Sequence, residues 1–230
     1  MTRKLFELVG TDPSRRFSPF CWRTRLALTH KGLETETIPW RFTEKNLIAP
    51  YKSERVPVLL DGEKAVVDSF VIANYLEDAY PDRPSLFGAP AAAAVTRFVN
   101  AWADTVLHAA MIRLIVSDIA NIVHEKDRAY FRESREQRFG MPLEQVTAGR
   151  EERLKGFREM LLPLRHTLSA QPFLSGDAPA YADYIVLGSF QWARCVSAFE
   201  LLAPDDVVAA WRERMFDLFD GLARRAPCAA

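Results

Sequence analysis

The chain has no surplus of charge: thirty Lys and Arg balance thirty Asp and Glu in 230 residues. That balance removes the electrostatic ground for a nucleic-acid or anionic-membrane partner. The one basic cluster, 128 to 138, is interleaved with Glu and reads as a solvated helix face. Cysteine is scarce, and Cys21, Cys195 and Cys228 are odd in number and widely spaced, which excludes a disulfide framework and a zinc knuckle as expectations. Cys228 stands third from the end, so it forms no prenylation box. The four histidines, His30, His108, His124 and His166, show no HxxxH or HxH spacing, and no metal site is expected. No stretch approaches the ~20 apolar residues of a membrane span. The opening "MTRKLFELVG" has no apolar signal core, so the expectation is a cytoplasmic chain.

What is present is a strong hydrophobic pattern, 49% of the residues, enough for one large domain or two small ones. "KLFELV" (4 to 9) reads as a buried strand with Gly10, Asp12 and Pro13 as its exit turn. A helix is predicted from Ser18 to about Lys31, with Pro19 at its first position and Gly32 just past its end. A second strand follows at 34 to 39. Then "VPVLLDGEKAVVD" (56 to 68) reads as a hairpin across Asp61-Gly62. A helix with Ser69 as its N-cap runs on to Tyr80, with Pro81 as the stop. The order βαβ, ββ, α predicts a mixed sheet with a right-handed parallel crossover.

Residues 81 to 90 are Pro- and Gly-rich and read as a linker, and beyond them only helical periodicity remains. Over 91 to 123 the apolar stripe is Val95, Phe98, Val99, Trp102, Val106, Met111, Ile115, Ile119 and Ile122. Residues 150 to 169 repeat the pattern with Leu154, Phe157, Leu161, Leu164 and Leu168, and 207 to 222 do so with Val207, Trp211, Met215, Leu218 and Leu222. "YADYIVLGSFQWARCV" (181 to 196) is apolar nearly all round and reads as a central buried helix. The expected architecture is an α/β thioredoxin-like domain over residues 1–80, a linker over 81–90, and an all-helical domain over 91–230.

The chemistry concentrates in "SPFCWRTRLALTHKG". A helix N-terminus carries unpaired N–H groups and partial positive charge, so it stabilises an anion placed there. With cysteine at position 18 the protein would supply its own thiolate. Serine cannot: an alkoxide needs a general base, and no His or Asp stands close in sequence. Ser18 can instead donate its hydroxyl to a thiolate brought by another molecule. The plain alternative is that Ser18 only caps the helix by accepting from the Cys21 amide.

"SPFCWRTRLALTHKG", "ERVPVLLDGEKAVVDSFVIANYLEDAYPD" and "APAYADY" together resemble the glutathione S-transferase superfamily across essentially the whole chain. Within it, "SERVPV", "EQVTAGREERL" and "FDLFDGLARRAP" look most like the bacterial β-etherases and the related fungal etherase-like transferases. The resemblance implies a glutathione transferase with glutathione as co-substrate and no metal. It implies that Ser18 is catalytic and donates to the glutathione sulfur, and that Val56 pairs with the cysteinyl part ahead of a cis Pro57. It implies further that Asp68 and Ser69 hold the γ-glutamyl end. That last assignment also has a physical ground, because a helix N-terminus suits a carboxylate while Asp68 suits the neighbouring ammonium. The candidate cations for the glycyl carboxylate are Arg41, Lys45, Lys52 and Arg55, with Lys45 and Arg55 favoured. Phe20, Trp40, Trp102 and Met111 are the candidate walls of a second-substrate pocket, although Trp102 and Met111 read first of all as core residues. A homodimer, an aromatic or other apolar electrophile, and a place in detoxification or aromatic-compound metabolism follow from the resemblance.

Two other readings stay open: a carrier of aromatic ligands that retains the glutathione site, and a thiol transferase working through Cys21. Against the second, a free cysteine one turn into a helix is usually a small buried side chain. His108 reads as a structural histidine. In one respect the chain departs from the family pattern: the central helix opens with Ala180, where a Ser, Thr or Asn cap is usual, while Asp183 three residues on is retained. Half the capping box is missing.

Overall fold

The computed structural model describes residues 3–229. Strand β1 (Arg3–Leu8) leads through a loop to helix α1 (Pro19–His30), and β2 (Thr35–Trp40) returns parallel to β1. Two short 3-10 turns precede the hairpin β3 (Val58–Asp61) and β4 (Lys64–Val67), and α2 (Ser69–Ala79) follows. The sheet order is β2-β1-β3-β4, with β3 antiparallel to both of its neighbours. The hairpin turns at Gly62-Glu63, with Asp61 opposite Lys64 and Gly62 at φ 63°. Pro39 sits inside β2 opposite Glu7, and it is tolerated because β2 is an edge strand.

Past residue 80 the described chain is helical: α3 (Pro90–Trp102), one π-type turn (Ala103–Leu107), α4 (His108–Ile122), α5 (Glu125–Phe139), α6 (Leu143–Thr147), α7 (Arg150–Met160), α8 (Leu162–Ala170), α9 (Tyr181–Val196) and α10 (Val207–Gly221). Helix α9 is the expected central element, with nearly every residue buried.

Several expectations need correction. The cap of α2 is Asp68, not Ser69: its carboxylate accepts from the amides of Phe70 at 2.9 Å and Val71 at 3.0 Å. An Asp tolerates the left-handed φ of 75° found there, and one carboxylate oxygen serves two amides. The single helix expected over 150 to 169 breaks at Leu161, because Pro163 has no N–H to continue the ladder. Its apolar stripe nevertheless persists, with Phe157, Leu161, Leu164 and Leu168 all buried. Helix α10 is interrupted at Leu218–Asp220, where Phe219 and Asp220 take left-handed φ values of 55°. The interruption sets the Phe219 ring against Tyr184 and His30.

Of the stripe expected over 91 to 123, Val95 (65% exposed), Phe98 (71% exposed) and Val106 (38% exposed) point away from the core, while Met111, Ile115 and Ile119 are buried. The helical run Ala91–Ile122 is also long and apolar enough, by length and composition, to cross a membrane, contrary to the reading that no stretch approaches that size. Its apolar side from Leu107 onward packs into the protein core.

The two parts of the chain meet chiefly where α1 lies along α9. Gly188 makes this possible: a Cβ there would sit 2.6 Å from the Pro19 carbonyl oxygen. Arg23 of α1 is fully buried in the same seam, with Nη2 2.8 Å from Asp104, Nη1 donating to Asn100 at 3.0 Å and Nε to the Ile185 carbonyl at 3.3 Å. At the start of α9, Asp183 accepts from the amides of Leu174 (2.8 Å), Ser175 (3.1 Å) and Ala180 (3.2 Å) and from the Trp211 indole (3.0 Å). These bonds hold the helix start although Ala180 offers no side-chain acceptor. Gly188→Ala forces backbone to move in this seam and should cost about 1–3 kcal/mol. Urea unfolding checks it, and an unchanged midpoint would show that the seam is not tight.

Candidate functional site

The register places the candidate residues at one end of the sheet. Phe6 pairs with Val58 and Val58 with Val67, so Val56-Pro57, leading into β3, and Asp68-Ser69, following β4, lie at the sheet end where β1 finishes at Leu8. The Phe17 amide donates to the Leu8 carbonyl at 3.3 Å, which brings Ser18 alongside the same end. Leu8 in turn pairs with Trp40 of β2. Across the sheet end the order is therefore Asp68-Ser69, Val56-Pro57, Ser18, and last the loop after Trp40.

Ser18 caps α1: its Oγ accepts from the Cys21 amide at 3.3 Å, and its side chain is nearly buried. As acceptor of that bond, the hydroxyl keeps its own proton to donate. No acidic residue stands in the first turn of α1 to oppose an anion there. The Val56–Pro57 peptide is cis, as the resemblance implies. Asp68 spends Oδ1 on its two capping bonds and is solvent-exposed, while Ser69 is buried, and its carbonyl accepts from the Tyr181 hydroxyl at 2.7 Å. Tyr181 belongs to α9, so the helical part of the chain also fixes this corner.

Residues 94–222 match the family model for the glutathione S-transferase C-terminal domain, and residues 13–84 match that for the N-terminal domain. The chain belongs to the glutathione S-transferase family. It is 28% identical to the glutathione S-transferase-like protein ustS of Aspergillus flavus over 222 residues, covering 82% of this chain and 79% of that protein. A zeta-class glutathione S-transferase of Euphorbia esula is 39% identical over 70 residues, 28% of this chain and 31% of that protein. Among solved structures, the fold matches the transferase CsGST63524 of Ceriporiopsis subvermispora, in complex with glutathione, with TM-score 0.77 and 24% identity over 96% of this chain and 93% of that one. GSTFuA3 of Phanerochaete chrysosporium matches with TM-score 0.77 and 23% identity, over 96% and 92% of the two chains.

In this transferase the four candidate pocket residues do not stand alike. Phe20 is partly exposed at the start of α1, stacks edge-on to His108 at 5.4 Å and carries the Arg23 guanidinium 4.9 Å above its ring. Trp102 is partly buried at the end of α3. Met111 is fully buried, and Trp40 is 3% exposed with its indole donating to the Glu44 carbonyl at 2.7 Å, so both lie in the core. His108, missed as a contact of Phe20, bonds Ser189 Oγ at 2.8 Å. Burial and the nearby Arg23 push its pKa down to about 3, so the imidazole is neutral at physiological pH.

The candidate cations differ as well. Arg41 lies 3.5 Å from Glu44 and donates to the Gly10 carbonyl, and Lys45 lies 3.6 Å from Glu54. Arg55 is exposed and has no carboxylate within 4.0 Å among the described residues. The described residues hold no cluster of three or more His, Cys, Asp or Glu suited to a metal.

Cys21 is fully buried beneath Ser18, and burial together with the negative charge of Glu7 pushes its thiol up to about 12. Such a thiol supplies almost no thiolate at neutral pH, which removes the ground for a Cys21 thiol transferase. Burial likewise pushes Cys195 up to about 12, while Cys228 is partly exposed. A disulfide reagent at pH 7.5 should titrate one thiol rapidly in the folded protein and three after denaturation. Rapid labelling of Cys21 in the native state would restore the redox reading.

Proposed function

We propose that this chain is a serine-type glutathione transferase of the etherase-like branch, in which bound glutathione attacks an aromatic or other apolar electrophile. One observation carries the reading: a nearly buried serine caps α1 with its proton still available, while the neighbouring protein thiol is held neutral. The nucleophilic sulfur has to arrive with a co-substrate. Asp68 and Ser69 receive the γ-glutamyl ammonium and carboxylate, Val56 pairs with the cysteinyl backbone, and Ser18 with the α1 amides stabilises the thiolate. Phe20 and Trp102 form the wall of the second site, with Met111 and Trp40 packed behind as support.

In the reaction the thiolate sulfur donates an electron pair to the electrophilic carbon, forming a C–S bond. The bond to the leaving group breaks, and that group departs with the bonding pair. On a β-aryl ether the leaving group is a phenolate, which takes its proton from solvent. The likeness to the serine-type motifs supports the ether substrate, and the aromatic edge at Phe20 suits a ring.

The test is turnover of a fluorogenic β-aryl ether with glutathione, beside a chlorinated nitroaromatic, in wild type and Ser18→Ala. Loss of one hydrogen bond to a charged sulfur should lower kcat/KM about tenfold or more and raise the pKa of bound glutathione, read from ultraviolet thiolate absorbance. An unchanged pKa and rate would remove Ser18 from the mechanism. Binding of both aromatics without turnover would favour a ligand carrier.

A homodimer belongs to the same proposal. Val71 (54% exposed) on α2 and Val95 and Phe98 on α3 are large apolar side chains left exposed, and Arg97 of α3 lies 4.6 Å over the Phe70 ring of α2. A second copy of this chain would cover these side chains. Phe98→Glu should convert the dimer to monomer in sedimentation analysis, and a wild-type monomer at micromolar concentration would overturn it.

A further inference from the structure

The three cysteines are widely spaced in the sequence, yet the fold brings two of them together at the end of α9. The last carbonyls of a helix have no partner within it, and the chain past α10 turns back to meet them. The Ala229 amide donates to the Arg194 carbonyl at 3.1 Å. Side chains of α9 hold the same segment from the other direction. Gln191 Nε2 and Arg194 Nη1 donate to the Ala223 carbonyl at 3.0 and 3.1 Å, and Arg194 Nη2 donates to the Arg224 carbonyl at 3.0 Å. The segment 223–229 is thus docked along the C-terminal end of α9.

Cys195 follows Arg194 and Cys228 precedes Ala229, so the hydrogen bond between Arg194 and Ala229 has a cysteine on either side. Added to standard bond lengths, that hydrogen bond keeps the two Cα atoms within about 8 Å of each other. A disulfide needs about 4.4–6.8 Å between Cα atoms, which lies inside that limit. The two side chains also feel one another: burial and, after it, the negative charge of Cys228 push the Cys195 thiol up to about 12.

Their settings are unlike. Cys228 is partly exposed, whereas Cys195 is fully buried at the end of α9. A small disulfide in solution therefore reaches Cys228 first, and Cys195 is screened from it. Cys21, the remaining cysteine, is buried elsewhere, with its Sγ 4.0 Å from the Phe6 carbonyl oxygen.

We propose that Cys228 and Cys195 form a thiol–disulfide exchange site that takes a small disulfide such as glutathione disulfide and closes into a bond fastening the 223–229 segment to α9. The Cys228 thiolate attacks one sulfur of glutathione disulfide, whose S–S bond breaks, and the departing glutathione thiolate takes a proton from solvent. In the mixed disulfide the charge of Cys228 is gone, and with it the lesser of the two causes that keep Cys195 protonated. Cys195 then gives its proton to solvent and attacks the Cys228 sulfur, releasing the second glutathione. Two protein thiols are oxidised, and one disulfide is reduced to two thiols. The exchange uses nothing at Ser18, so it goes beyond the transferase reading and is independent of it.

The test is incubation of the full chain with glutathione disulfide at mildly alkaline pH, followed by intact-mass measurement and peptide mapping without reduction. Wild type should lose two of its three thiols, fall in mass by two hydrogens with no glutathione retained, and give a peptide linking Cys195 to Cys228. Dithiothreitol should return all three. Cys195→Ser should stop at one glutathione adduct on Cys228, and Cys228→Ser should keep both of its remaining thiols. Wild type that retains its glutathione adduct, keeps three thiols, or links Cys228 to Cys21 or to a second copy overturns the proposal. Cys195→Ala, read the same way, is the second variant should the buried hydroxyl of Cys195→Ser prevent folding.

Discussion

The close approach of α1 to α9 at Gly188 is the contact on which the rest of the arrangement depends. It sets the N-terminus of α1, and with it Ser18, against the most buried helix of the chain. Arg23 then bridges α1, α3, the π-type turn and α9 within the same seam. A buried guanidinium tied to Asp104 and two oxygen acceptors is costly to displace, so the seam resists sliding as well as separation. The π-type turn lies where Asp104 must face Arg23 and His108 must reach Phe20, and such turns often mark positions where a helix is adjusted to a site.

Around that seam, two helix N-termini open at one end of a four-stranded sheet, and the chain treats them differently. At α2 an exposed aspartate caps the helix by accepting from the Phe70 and Val71 amides and leaves its second carboxylate oxygen at that end, which suits an ammonium group. At α1 a neutral serine caps the helix and no acid stands in the first turn, which suits an anion. The protein thiol in that turn is kept neutral by burial and by Glu7 below it. The proposed division of labour, in which the co-substrate brings the nucleophile, rests on these two environments.

Much of this was legible in the sequence because it is local. The strand-helix-strand order, the hairpin, the caps near Ser18 and Asp68 and the all-round apolar α9 each follow from neighbouring residues. Where local signals competed, the reading went astray: Asp68 rather than Ser69 caps α2, because a cap is decided by which side chain can take a left-handed backbone and reach two amides. Pro163 divides one stripe into α7 and α8 without disturbing the face the stripe presents.

The sequence by itself determined the main elements, their order and the family, since those depend on residue type and spacing. Only the tertiary structure decided which of the candidate pocket residues reach the surface, that Cys21 lies beneath Ser18 as a buried thiol, and that α5 is fastened to the loop after β2 through Asp127. The reason is physical: burial and counter-charge belong to pairs of residues far apart in the chain. Asp127 and Thr43, or Arg135 and Phe42, are brought together by packing that no periodicity records.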